Sequence, residues 1–248
     1  LEHRTITSAL SSIKGFGKEI GRIMYELGQN KYDHFVDLLK DMSAHSIGAS
    51  KVEPLIKIDY FEQFGNSKKL LRLSNMYYEI FKEGEARSIK RSKVEGSPMM
   101  EELLSHHANG LRKDGSPAAS WKITDMDGLL RECEDTINTL QINDFDLRFK
   151  IQAQNDILGY FMPTGKEEDR PKLLVQEVKP LVRKADGEQF GYSYFCKSLG
   201  SGIQTRFTVV NRVVNRNGLA QKNNIIYCTK RPTQNNGFFR MEAYEIIA

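Results

Sequence analysis

The residues of this chain best suited to hold a charged ligand lie near its start, in Lys14-Gly15-Phe16-Gly17-Lys18. Ile13 precedes the Gly-x-Gly, and Ile20 and Ile23 follow at helical spacing, a pattern that predicts a tight hairpin opening a helix. Glycine accepts a positive φ and lets a second backbone approach closely, which such a turn needs. The peptide N–H groups of Phe16, Gly17 and Lys18 are then expected to point out of the helix N-terminus, where unpaired donors favour an anion. With Lys14 and Lys18 beside them, the natural anion is a nucleic-acid phosphate. The competing reading is a glycine turn between two packed helices, because an isolated Gly-x-Gly is a weak motif.

A second group of residues lies in the C-terminal third. Phe190, Tyr192, Tyr194 and Phe195 fall in one predicted strand and Arg206 and Phe207 in the next. Arg183 and Lys184 flank one turn, and Lys230 and Arg231 flank another. Aromatic faces stack bases and cations follow phosphates, so these are the residue types of a single-strand surface. Alternation sets Tyr192 and Tyr194 opposite Phe195 without saying which side is core. No catalytic set stands beside them. Asp125 and Asp127 have the spacing of a two-metal carboxylate pair, but they stand at a predicted helix start, where carboxylates act as caps. His106 and His107 are adjacent and cannot share a helical face, and nothing nearby completes a metal set. P-loop, zinc-cluster and nucleophile motifs are missing, so no cofactor and no metal ligand is expected in this stretch.

The elements that must position these groups change character along the chain. Helical spacing runs over 18–27, 33–42, the segment carrying Val52, Leu55, Ile56 and Tyr60, and 68–81. Ser50 is the expected cap of the third helix, with Pro54 in its first turn. Residues 84–120 hold a basic run and two Gly-Ser-Pro-type breaks, and read as a flexible linker. Helices are expected again over 126–137 and 147–158, within a connector of residues 121–170. From residue 171 the period becomes two, giving five strands over 173–183, 189–197, 203–210, 224–230 and 238–247, with a short helix over 213–220. That layout predicts an α+β chain: a helical domain over 1–83, then a five-stranded OB-fold barrel over 171–248. An SH3-like or small Greek-key barrel is the structural alternative.

The chain has 248 residues, 40% apolar and 27% charged, with a net charge of +4. The charge is uneven: residues 171–248 hold 12 Lys and Arg against 5 Asp and Glu, whereas residues 1–170 hold 24 against 27. A basic C-terminal third on a near-neutral remainder fits a localised polyanion-binding module. The three cysteines, Cys133, Cys196 and Cys228, are far apart and odd in number, which fits a reducing, cytoplasmic setting. No apolar run approaches a membrane span. The start at Leu1, without methionine, reads as a fragment.

Four segments in order resemble one family. Residues 6–17, ending Ile13-Lys14-Gly15-Phe16-Gly17, look like the opening of the helix-hairpin-helix region of bacterial DNA polymerase III alpha subunits, the C-family replicative polymerases. Residues 55–66, Leu-Ile-Lys-Ile-Asp-Tyr-Phe-Glu-Gln-Phe-Gly-Asn, resemble a segment that family carries downstream. Asn155-Asp156-Ile157-Leu158-Gly159-Tyr160-Phe161 is similar to a third, although Met162-Pro163 replaces the usual Gly-His-Pro. Residues 184–200 resemble a strand pair of its OB domain. The resemblance implies a C-terminal portion in which the hairpin grips duplex DNA and the OB barrel holds single-stranded template during replication. The family's catalytic aspartates, with their Mg²⁺, would lie upstream of Leu1, so no polymerase active-site residue falls in this numbering. The resemblance also implies a sliding clamp and other replisome subunits as partners. Gln141-Ile142-Asn143-Asp144-Phe145 is the candidate clamp-binding peptide, through Gln141 and Phe145, with Asp where an apolar residue is usual. A stand-alone helix-hairpin-helix and OB protein of repair or recombination, or a protein-interaction scaffold, are the competing functions.

Overall fold

The computed structural model describes residues 10, 13, 15–81, 87–163, 169–235 and 238–247. The chain divides into two compact units, Leu1–Asp146 with Ala153–Gly159, and Leu147–Gln152 with Tyr160–Ala248. Among the described residues no helix is long and apolar enough to cross a membrane.

The first unit opens with α1 (Lys18–Leu27), α2 (Phe35–Ala44), α3 (Ala49–Lys57) and α4 (Ser67–Asn75), the last continued by a π-helical turn over Met76–Ile80. Their buried faces follow the helical period, as in Gly21, Met24 and Leu27 of α1. Asn66 caps α4, its side chain accepting from the N–H groups of Lys68 and Lys69. Helix α3 starts earlier than expected: Gly48, not Ser50, holds the N-cap, so Pro54 lies inside the helix.

Residues 87–123 are not a linker. They form β1 (Ser88–Lys90), a 3-10 turn, α5 (Pro98–His107), β2 (Ala108–Leu111) and β3 (Pro117–Ile123), with β3 paired antiparallel between β1 and β2. The physical reason is apolar burial: Ile89, Val94, Met100, Leu103 and Leu104 enter the same core as the hairpin helices. Arg91 places its guanidinium 4.5 Å above the Trp121 ring and donates to the carbonyls of Ala118 and Gly110. Gly110 is required there, since a side chain at that position would collide with the indole. Within the expected connector, α6 (Met126–Thr139) belongs to the first unit, since it buries Leu129, Leu130, Cys133 and Ile137 in that core.

Two polar devices fasten α6. The Glu134 carboxylate, 4% exposed, accepts from the N–H groups of Phe35 at 2.8 Å and Val36 at 2.9 Å. It therefore caps α2, whose own N-cap residue, His34, supplies no side-chain bond. Near the other end, His107 bridges Asp125 and Glu132 at 3.1 and 2.6 Å, and His106 meets Glu132 at 2.9 Å. Hydrogen bonds from His107 and His106 hold the Glu132 carboxyl below its ordinary range.

The second unit contains α7 residues 147–152, the start of the helix Leu147–Leu158. Strands β4 (Lys172–Val182), β5 (Gln189–Ser198) and β6 (Gln204–Val210) form an antiparallel meander followed by α8 (Asn211–Asn217). Then β7 (Ile225–Tyr227) pairs with β4, β8 (Thr233–Asn235) and β9 (Phe238–Arg240) form a hairpin, and β10 (Glu245–Ile246) returns to β7. Strand β9 runs parallel to β6. The order β10-β7-β4-β5-β6-β9-β8 makes a curled half-barrel of seven strands, three long and four short, where five were expected. Pro232, which has no N–H to donate, falls in the gap between β7 and β8. Between β9 and β10 the chain turns Met241, Ala243 and Tyr244 into the core. All three cysteine thiols are buried and free, and burial pushes those of Cys133 and Cys228 up to about 12.

Glu134→Ala, which strands two buried N–H groups, is expected to cost about 2–4 kcal/mol, and Glu134→Gln, which keeps one acceptor oxygen, about half as much. Urea unfolding midpoints check both values. Because the Glu132 pKa is depressed on folding, its contribution is complete above the ordinary carboxylate pKa and fades as pH falls through the folded value. The gap in thermal midpoint between the wild type and Glu132→Gln should therefore be present at pH 6–7 and close on acidification.

Candidate nucleic-acid interface

The hairpin is closed by its own backbone. Ile13 N–H bonds Leu10 O at 3.1 Å, Phe16 N–H bonds Ile13 O at 2.9 Å, and Gly15 between them has φ +85°. The Phe16 amide is thus part of the turn and does not point outward as expected, and its ring is buried. Gly17 is the extended N-cap of α1, and the first helical bond runs from Gly21 N–H to Gly17 O at 3.1 Å. The amides ahead of Gly21 have no intrahelical acceptor, and at the exposed Gly17 an added Cβ would touch nothing. Lys18 is exposed beside them, whereas Lys14 lies outside the described residues. Glu19 would oppose an anion here, but Arg22 pairs with it at 2.6 Å and, chiefly through that hydrogen bond, holds its carboxyl below the usual range.

The same geometry recurs between α2 and α3. Ser46 has φ +61°, Ile47 is buried, and Gly48 is the extended N-cap, matching Gly15, Phe16 and Gly17 in turn. Lys51, in the first turn of α3, donates to Gly15 O at 2.8 Å and stands 5.8 Å from the Phe16 ring centroid. The two hairpins are therefore tied side by side. A family profile described as a helix-hairpin-helix motif matches residues 1–71. That match spans both hairpins and points to nucleic-acid binding. No curated protein and no solved structure matches the chain. Neither the second hairpin nor Lys51 was legible beforehand. Ile47-Gly48 carried a faint echo of the first motif, and nothing links position 51 to position 15 in sequence.

In the second unit the structure decides which aromatics are available. Tyr194 is fully buried, its hydroxyl 3.0 Å from that of Tyr244 and accepting from Ala220 N–H. It is a core residue and cannot stack on a base, a correction to the expectation above. Tyr192, on the same face of β5, is half-buried against that core. The outward aromatic is Phe195, with Lys179 Nζ 5.2 Å and Arg206 Cζ 5.3 Å from its centroid. Arg206 is further fixed by a 2.6 Å bond from Nε to Ser193 Oγ. Beside it opens a groove of about 880 Å³ lined by Ile203, Gln204, Arg206, Arg231, Phe238 and Phe239, among others. Phe238 is 65% exposed. Arg231 meets Asp169 at 3.4 Å across a fully solvated gap, and Lys230 is exposed next to it.

Arg183 and Lys184 are not brought to this groove. They sit in the β4–β5 turn, beyond the Val182–Gln189 pair, whereas the groove adjoins the Lys197–Gln204 pair eight residues along β5. At about 3.3 Å per residue, the two ends are about 26 Å apart. Arg183 is also paired with Asp186 and Glu188, each at 3.3 Å.

The proposed clamp peptide is seated on α4. Asn66 Nδ2 donates to Ile142 O at 2.8 Å, and Lys68 Nζ lies 5.3 Å from the half-buried Phe145 ring, although Gln141 is exposed. Asp125 caps α6 through Gly128 N–H at 2.9 Å, and Asp127 pairs with Lys40 at 2.6 Å. Both carboxylates are thus engaged in structural contacts, and among the described residues no group of three or more His, Cys, Asp or Glu is arranged to hold a metal ion.

Gly15→Ala forces an L-residue to φ +85° and crowds Lys51 Nζ to 3.0 Å, so it is expected to cost about 1–2 kcal/mol. Gly17→Ala meets no neighbour and keeps an ordinary φ, so it should cost less, about 0.5–1 kcal/mol, from the poorer N-cap that alanine makes. Chemical denaturation of the two variants tests this contrast.

Proposed function

We propose that this chain binds DNA through both units: duplex through the paired hairpins, and a single strand across the outer face of β5 and β6. The observation that carries the proposal is the repeated hairpin geometry inside the residues matched by the helix-hairpin-helix family. Backbone amides with Lys18 at hand contact phosphates and carry no sequence information, so this grip is independent of sequence.

For the second unit we propose that the half-barrel is an OB barrel. Supporting this, β7 and β8 follow one another along residues 225–235, and β9 and β10 along residues 238–246. Counted as two bent strands, they bring both ends of the sheet order onto the same hairpin and give the five-strand layout, with a helix after the third strand. A single strand would then run from Arg183 and Lys184, past Lys179, Phe195 and Arg206, to Arg231, Lys230 and Phe238. A track of about 26 Å accommodates several nucleotides.

The ordered resemblance supports a finer reading, in which the chain is a C-terminal portion of a replicative DNA polymerase III alpha subunit. On that reading it works beside a sliding clamp and other replisome subunits in the cytoplasm. Its task here is to hold DNA, and polymerase chemistry with Mg²⁺ belongs to other residues.

Fluorescence anisotropy with a labelled duplex and a labelled single strand tests the division of labour. Lys18→Ala should weaken duplex binding several-fold and lower the slope of log K against log salt by about 0.9. Phe195→Ala should weaken single-strand binding by about 10-fold or more and leave duplex binding unchanged. Absence of salt-dependent binding to either probe at low ionic strength would sink the proposal.

A further inference from the structure

The three-stranded sheet in the first unit carries a charge that its packing does not use. Residues 87–93 and 108–123 contain seven Lys or Arg and one Asp or Glu. Arg91 is spent on Trp121, and Lys93 Nζ reaches Glu79 O at 3.3 Å. Arg87, Lys90, Arg112, Lys113 and Lys122 are all exposed, and none has an acidic partner among the described residues. Elsewhere in the unit several exposed cations are paired, as Arg22 is with Glu19 and Glu26, Lys40 with Asp127 and Arg131 with Asp37. Unneutralised like charges repel one another, so a sheet that retains five of them is suited to a polyanion.

The sheet also sorts these cations by position. One face turns Ile89, Trp121 and Ile123 toward the core. The other presents Lys90 and Lys122 among Ser88, Ser120 and Asn109, with Lys122 paired across to Ser88 on one side and Asn109 on the other. These neighbours are small and polar, which leaves the face open to a close approach. At the far end, the β2–β3 turn is held by Arg112 N–H to Ser116 O at 2.8 Å and by the Asp114 carboxylate, which accepts from Ser116 N–H at 3.0 Å. That turn exposes Leu111, Arg112 and Lys113. Five residues of β3 separate Pro117, beside the tip, from Lys122, about 17 Å at strand rise. B-DNA carries about one phosphate charge per 3.4 Å of axis on each strand, so this length runs beside roughly five phosphates of one strand.

We infer that the outer face and tip of the β1-β3-β2 sheet form a second, sequence-independent contact to the backbone of the duplex that the hairpins grip. The inference rests on the duplex-binding reading of the hairpins. The stack of Arg91 on Trp121 fixes the sheet before DNA arrives, so little order has to be imposed on binding.

The test measures affinity of the full chain for a 30-base-pair duplex over a salt series. The quadruple variant Lys90→Ala, Arg112→Ala, Lys113→Ala and Lys122→Ala should bind at least about 10-fold more weakly at low salt. Its log K–log salt slope should be smaller by about 3–4, at about 0.9 per lost contact. A companion variant with Lys90, Lys113 and Lys122 changed to Arg should bind as the wild type does, and both should share its urea midpoint. If the quadruple variant keeps wild-type affinity and slope while Lys18→Ala weakens binding, the sheet contact is overturned and the hairpin reading stands. If the quadruple variant weakens binding and Lys18→Ala does not, the hairpin reading fails instead. Competition by poly-L-glutamate as effective, per charge, as competition by duplex would overturn DNA as the occupant and favour an acidic protein segment.

Discussion

A carboxylate removed from water where a helix begins constrains the whole first unit. Glu134 belongs to α6, yet the two donors it satisfies open α2, almost a hundred residues earlier. A buried charge is tolerable only when its oxygens are occupied, and a buried helix start only when its amides are. Each group meets the other's need, so α2 and α6 cannot separate without exposing two unsatisfied amides and a carboxylate. The hairpin on either side of α2 inherits that fixed position. So does the sheet that precedes α6 in the chain. The anion-facing loops and the basic sheet thus stand on one scaffold.

What could be read in advance follows from how local the cause is. Helices α1, α2 and α4 announce themselves through apolar residues three and four apart, and β4 to β6 through alternation, because each pattern is set by neighbours along the chain. Glu134, Lys51 and the Arg91–Trp121 stack act across 98, 36 and 30 positions, and no spacing rule reaches that far. The region 84–120 looked like a linker because its glycines, prolines and cations outnumber its apolar residues. Its few apolar residues nevertheless include Ile89, Met100, Leu103 and Leu104, all buried. In β5 the alternation was correct and its sense was open. The hydroxyl of Tyr194 finds its partners in Tyr244 and Ala220, from segments far along the chain, and that selects the inward face.

On the function proposed above, the two units offer DNA different chemistry. Hairpins present peptide donors, which are fixed in direction and indifferent to base identity. The outer face of β5 and β6 presents a ring flanked by cations, which suits unpaired bases whose faces are exposed. On that reading, a chain carrying both kinds of surface serves DNA that changes from single-stranded to paired along its length.

The bond from Lys51 to Gly15 has a mechanical consequence. It joins the helix that follows the second hairpin to the carbonyl of the first, so a shift of one loop away from the other costs about 1 kcal/mol for the bond it breaks. Two loops on independent hinges would engage and release one at a time. On the proposed reading, this tie sets the spacing at which the two loops meet a phosphate backbone.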